Sequence, residues 1–122
     1  MRVGNTIHVS GTTANSPVAE IPAVGGSSAG SQTVRILDII EGALKALDSS
    51  MKDVVRTRNL VEDLKYCEEV CLAHGWRFKC EGISPTNTLV TAHIMGEEML
   101  VEIEAWAEVG SGKQGVLRIG KA

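Results

Sequence analysis

The stretch LVEIEAWAEV, residues 100–109, decides the architecture of the chain. At the two-residue period of a β-strand, Val101, Ile103, Ala105 and Ala107 point to one side and Glu102, Glu104 and Trp106 to the other. The apolar set requires a covering layer, which helices supply. The opposite set leaves two carboxylates and an indole on a sheet face that no helix covers. Segment 54–61, VVRTRNLV, alternates in the same way and places Arg56 and Arg58 together on one face. A face that mixes charges with Trp106 and apolar neighbours is expected to be buried against another subunit rather than solvated.

Working outward, NTIHVSGTTA at 5–14 alternates through Ile7 and Val9 and breaks at Gly11, the pattern of a strand. Residues 15–31 hold two prolines and three glycines and read as a long loop, with a short strand expected near 18–21. Ile36, Ile40, Ala43 and Leu47 recur at helical spacing behind Ser31 as the expected N-cap. A second helix is expected over 64–78, with Cys67, Val70, Cys71, His74 and Phe78 on its core side. The spacing then predicts a hairpin, with strands at 88–94 and 100–109 around a turn at Gly96 and Glu97. Residues 110–122 form a basic, Gly-rich tail that reads either as a loose end or, at VLRI, 116–119, as a short edge strand. This order predicts one α+β domain spanning 1–122, with two helices on one face of a mixed sheet.

The totals narrow the function. A chain of 122 residues with 43% hydrophobic and 22% charged residues has the composition of one folded domain. A net charge of −3 and only four aromatic residues argue against a nucleic-acid surface. No apolar run is long enough to span a membrane, and the first residues lack a secretory h-region. Three cysteines, an odd number, fit reduced thiols in a cytoplasmic setting.

Five pieces taken together resemble the YjgF/RidA family of reactive-intermediate (enamine/imine) deaminases, also labelled L-PSP endoribonucleases. They are VSGTTA at 9–14, SQT at 31–33, DVVRTRNLVEDL at 53–64, SPTNTLV at 84–90 and LVEIEAWA at 100–107. They follow the family's order over about residues 3–109. The resemblance implies a chorismate-mutase-like fold, a homotrimer whose sheets line a central barrel, and small-molecule pockets between subunits. It implies that Ser10 and Gly11 help to hold a substrate carboxylate and that Glu102 orients the hydrolytic water. Asn87 falls where deaminating members carry an arginine that clamps that carboxylate. The chain also starts at the family's first core strand, so the tyrosine that many members place near the pocket is not expected here.

Imine hydrolysis needs a positioned substrate, a polarised water and a proton acceptor. Replacing a guanidinium contact by one neutral amide leaves a deficit of about 1–2 kcal/mol toward a carboxylate. Arg56 or Arg58 supplies that charge only if the fold brings one into the cleft. Asn87 otherwise caps a turn after Pro85. Glu104, on the same face as Glu102, reads as an ion-pair partner. Cys67, Cys71 and His74 at helical spacing read as core residues, and neither metal nor cofactor is expected. The run GGSSAG, 25–30, before a helix reads as a loop rather than a phosphate cradle. Two functions besides imine deamination with altered substrate preference fit this pattern. One is a non-catalytic metabolite-binding trimer, the other a ribonuclease or translation inhibitor.

Overall fold

The alternation at 100–109 becomes a strand whose inner set is sealed: Val101, Ile103 and Ala107 expose nothing and Ala105 exposes 1%. Such burial requires a neighbour strand on each side as well as a covering layer. In chain order the elements are β1 (Arg2–Val3), β2 (Thr6–Thr12), α1 (Ala29–Ala46), β3 (Val54–Val61), α2 (Cys67–Glu81), β4 (Thr86–Thr91) and β5 (Val101–Glu108). Short 3₁₀ turns lie at Met51–Asp53, Leu64–Tyr66 and Ser111–Lys113. The computed structural model describes residues 1–15 and 28–119; the short strand expected at 18–21 lies outside them.

The sheet runs β1-β2-β5-β3-β4, with β3 and β4 parallel and the other neighbours antiparallel. This corrects the expected hairpin, because β4 and β5 are not neighbours. The unit β3–α2–β4 is a crossover, which returns its second strand parallel to its first. β4 therefore takes the outer edge beside β3, and β5 fills the slot between β2 and β3. Its inward residues then meet both strands at once, with Ala107 opposite Ile7 on β2 and Ala105 opposite Thr57 on β3.

Both helices cover the same face. Ile36, Leu37, Ile40 and Leu44 of α1 expose nothing, and each stabilises the fold by roughly 1.5–3 kcal/mol relative to remaining in water. The N-cap is Ser28, three residues earlier than expected, with its side chain accepting from the Ser31 amide. Glu69 of α2 accepts from the Gly30 amide at 3.2 Å, so a carboxylate of the chain itself complements the N-terminus of α1. On α2 the buried stripe is narrow: Val70, His74 and Phe78. Cys67 is only half-buried and Cys71 is exposed, which corrects their expected place on the core side. With one buried residue per turn, both cysteines fall beside the stripe rather than on it. Arg77 ties the helices together through Asp38 at 3.2 Å and Glu41 at 2.9 Å.

Two buried polar groups hold elements that apolar packing alone would leave loose. Gln32, fully buried on α1, accepts from the Leu100 amide and donates to the Glu98 carbonyl, both at 2.9 Å. It thereby fixes the point at which the chain turns into β5. His74, 8% exposed, sits with Nε2 2.8 Å from the Thr57 hydroxyl oxygen, and burial pushes its pKa down to about 4.

Among the described residues the C-terminal tail adds no strand, so of the two readings of the tail the edge strand at 116–119 is not formed. Its root is fastened by Asp53, which accepts from the Ser49 hydroxyl at 2.6 Å and the Gly112 amide at 3.0 Å. Burial raises the Asp53 pKa, but hydrogen bonds from Ser49 and from the Gly112, Gly110 and Ser50 amides outweigh it and leave it lowered. A Cβ on Gly112 would lie 2.7 Å from the Lys52 carbonyl oxygen, so only glycine lets the tail approach this closely. Beyond this root Leu117 and Ile119 are exposed, lacking the strand partner an edge position would need.

Two measurements follow. Gln32→Leu keeps volume but leaves the Leu100 amide unpaired, and urea unfolding is expected to show a loss of about 1–3 kcal/mol. For His74 the folded pKa lies below the unfolded value of 6.5, so the unfolded chain binds the extra proton. Stability is therefore intact above pH 6.5 and declines as pH falls towards about 4, by at most ~1.4 kcal/mol per unit. The contribution of His74 is the part of this slope that disappears in His74→Gln.

Candidate functional site

The face of the sheet turned away from the helices is organised by register. Across β3 and β5 it pairs Arg56 with Trp106, Arg58 with Glu104 and Leu60 with Glu102; across β2 it pairs His8 with Trp106. The expected alternation of charges and indole on one uncovered face is thus present. Arg58 Nε lies 2.5 Å from Glu104 Oε1, which makes Glu104 the ion-pair partner anticipated for it. The Arg56 guanidinium lies 5.5 Å from the Trp106 ring centroid and donates to the Thr88 hydroxyl at 3.0 Å.

Glu102 differs from its neighbour. It is half-buried, and among the described residues it has neither a hydrogen bond nor an ion pair. Its carboxylate lies over Gly11: a Cβ on Gly11 would stand 2.5 Å from Glu102 Oε1 and 2.9 Å from its carboxyl carbon. The register between β2 and β5 shifts between Val9 and Thr12, a bulge that takes Ser10 and Gly11 out of one-to-one pairing. Ser10, Gly11 and Glu102 are therefore brought together by a bulge and a missing side chain. Any side chain at position 11 would displace the carboxylate.

An apolar shelf flanks this carboxylate. Leu60, opposite Glu102, packs with Ile94 and Met99 from the connection 92–100. Glu62 holds that connection, accepting from the Ile94 amide at 2.5 Å and lying 2.6 Å from His93 Nδ1. These hydrogen bonds, the Ile94 amide first, lower the Glu62 pKa. Sequence reasoning missed the shelf because IMGEEML, 94–100, has the look of a hairpin turn. The available signal was the pair of large apolar residues bracketing that turn.

Asn87 is not on this face. It sits opposite Thr57 in the β3–β4 register, and Thr57 points under α2. Its amide donates to the Thr57 hydroxyl at 2.8 Å and to the Thr57 carbonyl at 3.3 Å. The same hydroxyl oxygen lies 2.8 Å from His74 Nε2, so Asn87, Thr57 and His74 form one hydrogen-bonded row. Asn87 thus bonds across to β3 rather than capping a turn after Pro85. Within one chain the structure groups Ser10, Gly11 and Glu102, and leaves Asn87 on the opposite side of the sheet.

Neither arginine fills the gap inside one chain. Arg58 is engaged by Glu104. Arg56 lies beside Trp106, four residues from Glu102 along β5 and on the order of 13 Å away at the rise of a strand. That exceeds the span of a small imino acid. Among the described residues, no group of three or more His, Cys, Asp or Glu side chains is placed to hold a metal, and no helix is long and apolar enough to cross a membrane.

Comparison with known proteins agrees with this architecture. A family model described as Endoribonuclease L-PSP matches residues 1–109. The structure of Rv2704 from Mycobacterium tuberculosis, described as a member of the YjgF/YER057c/UK114 family, is 35% identical with a TM-score of 0.75, covering 88% of this chain and 82% of its own. The YjgF gene product of E. coli is 25% identical with a TM-score of 0.78, covering 88% and 84%. A Rid-family protein of unknown function from Yersinia pestis is 28% identical with a TM-score of 0.72, covering 87% and 80%. A search of curated proteins found no match. Two helices on one face of a five-stranded mixed sheet, with the family match over residues 1–109, place this chain in the endoribonuclease L-PSP (YjgF/RidA) family.

Proposed function

We propose that the chain hydrolyses the C=N bond of a small imine or enamine-derived metabolite, at a site that a second copy of the chain completes. The observation that carries this reading is Glu102. It is a half-buried carboxylate with no partner among the described residues, seated over Gly11 and beside the Leu60 shelf, while Glu104 next to it is neutralised. A carboxylate with no partner among the described residues has its oxygens available to hold and orient a water.

In the reaction, water oxygen attacks the imine carbon while Glu102 takes one of its protons. The carbon–nitrogen π electrons move to nitrogen, which takes that proton from Glu102. Glu102 then accepts the hydroxyl proton of the resulting amino alcohol and passes it to the amine as the carbonyl forms and the C–N bond breaks, so that ammonia leaves and Glu102 is again a carboxylate. Ser10 and Gly11 border the carboxylate and position the polar end of the substrate. Among the described residues the cation on the neighbouring pleat, Arg58, is already paired with Glu104, so a strongly anionic substrate end is disfavoured, which is the altered preference we assign.

The two edges of the sheet, β1–β2 and β4, are free to meet other copies, and a closed ring of three brings Asn87 of one chain towards Glu102 of the next. The mixed surface carrying Trp106 supports such burial. The thiols of Cys67, Cys71 and Cys80 are free, in keeping with a cytoplasmic location.

The test is hydrolysis of 2-iminobutanoate generated in situ, comparing native protein with Glu102→Gln, Gly11→Ala and Asn87→Arg. Glu102→Gln is expected to lower turnover by about 10²–10⁴-fold. Gly11→Ala is expected to reduce it at least tenfold, because the added Cβ collides with the carboxylate. Asn87→Arg is expected to raise it. If Glu102→Gln keeps native turnover, the assignment fails. If no variant turns over any imine yet metabolites still bind, a binding role replaces it.

A further inference from the structure

α2 turns two large apolar side chains to solvent. Leu72 is 67% exposed and Trp76 is 62% exposed. Each lies two residues from His74, the middle of the buried stripe of Val70, His74 and Phe78, and a two-residue step turns an α-helix by about 200°. Both therefore stand on the side of α2 directed away from the core, one turn apart. A surface helix ordinarily keeps that side polar. Glu68, one turn before Leu72, and Lys79, three residues after Trp76, bracket the pair, and both are exposed. Neither has an ion-pair partner among the described residues.

Gly75 adds a second observation. It lies within α2 beside Trp76, is exposed, and a Cβ built there would meet nothing within 4 Å. No described neighbour therefore calls for glycine at this position, where it costs a helix about 1 kcal/mol relative to alanine. A bare position next to an exposed indole leaves room for a large side chain from outside the chain.

The charges decide what fits. This face is acidic at its N-terminal end, apolar at its centre and basic at its C-terminal end, so it complements itself when reversed. A second α2 turned end for end about the level of His74 sets Leu72 of each chain against Trp76 of the other, and Glu68 of each beside Lys79 of the other. Parallel packing would set Glu68 against Glu68 and Lys79 against Lys79. A tryptophan at the centre of a contact, with charges at its rim, is the arrangement that carries binding energy in protein interfaces.

We propose that the outer face of α2 is a docking surface for the same face of a second copy of this chain, packed antiparallel. The contact lies on the helix side of the sheet, away from Glu102, so it does not rest on the hydrolytic reading and either can fail without the other. It doubles whatever unit the uncovered sheet face forms. One helix face falls short of the roughly 20–30 residues a side of a standard interface, so the contact is weak, with a dissociation constant on the order of 0.1–1 mM.

The test is sedimentation equilibrium of the full chain, carried from micromolar concentration to about 1 mM. The native mass is expected to be constant at the lower end and to rise towards twice that value at the upper end. Leu72→Asp is expected to weaken this association about tenfold or more. It should leave the thermal midpoint in place, because the side chain it replaces is mostly exposed. Lys79→Glu is expected to weaken association by setting carboxylates beside one another, and Glu68→Lys added to Lys79→Glu is expected to restore it. The proposal is overturned if the native mass stays constant throughout, if Leu72→Asp associates as native protein does, or if the charge swap associates no better than Lys79→Glu alone.

Discussion

A sheet covered by helices on one side has to dispose of its other side, and in this chain that constraint governs everything else. The uncovered face carries Arg56, Arg58, Leu60, Glu102, Glu104 and Trp106 in adjoining register. Most of these satisfy one another: Arg58 with Glu104, and Arg56 over Trp106. The remainder is one carboxylate, Glu102, beside an apolar shelf and over a glycine. The proposed function falls to Glu102 because the other charges of this face are already committed.

The strand order has a second consequence. With β5 between β2 and β3, Glu102 lies near Gly11 in the middle of the sheet, while Asn87 stands on the outer strand and turns its amide inward to Thr57. One chain cannot bring these residues to a common ligand. The same inward turn places Asn87 in a hydrogen-bonded row with Thr57 and His74, so within one chain it belongs structurally to the helix side.

Local patterns were legible in the sequence; pairings between distant segments were not. The alternation of β5 and β3 reports side-chain direction, so it identified the sealed set and the opposing charges, and the bounds of β3 fell where expected. The hairpin reading failed because Gly96 and Glu97 resemble a turn whatever strand comes next, whereas the β3–α2–β4 crossover decides which strand β4 joins. The cysteines of α2 misled because helical spacing cannot reveal how wide a buried stripe is. Gly11 and Glu102, which the family resemblance named together, are in close contact. The shelf of Leu60, Ile94 and Met99 arises from contacts between segments that no local pattern encodes.

The measurement that bears most directly on how the uncovered face is used is sedimentation equilibrium of the full chain at micromolar concentration. If the face carrying Glu102 and Trp106 is closed by other copies, the mass will be three times the 13.0 kDa of one chain. A mass of 13.0 kDa throughout would leave that face in water and Glu102 without the second copy its chemistry requires, contradicting the proposed site.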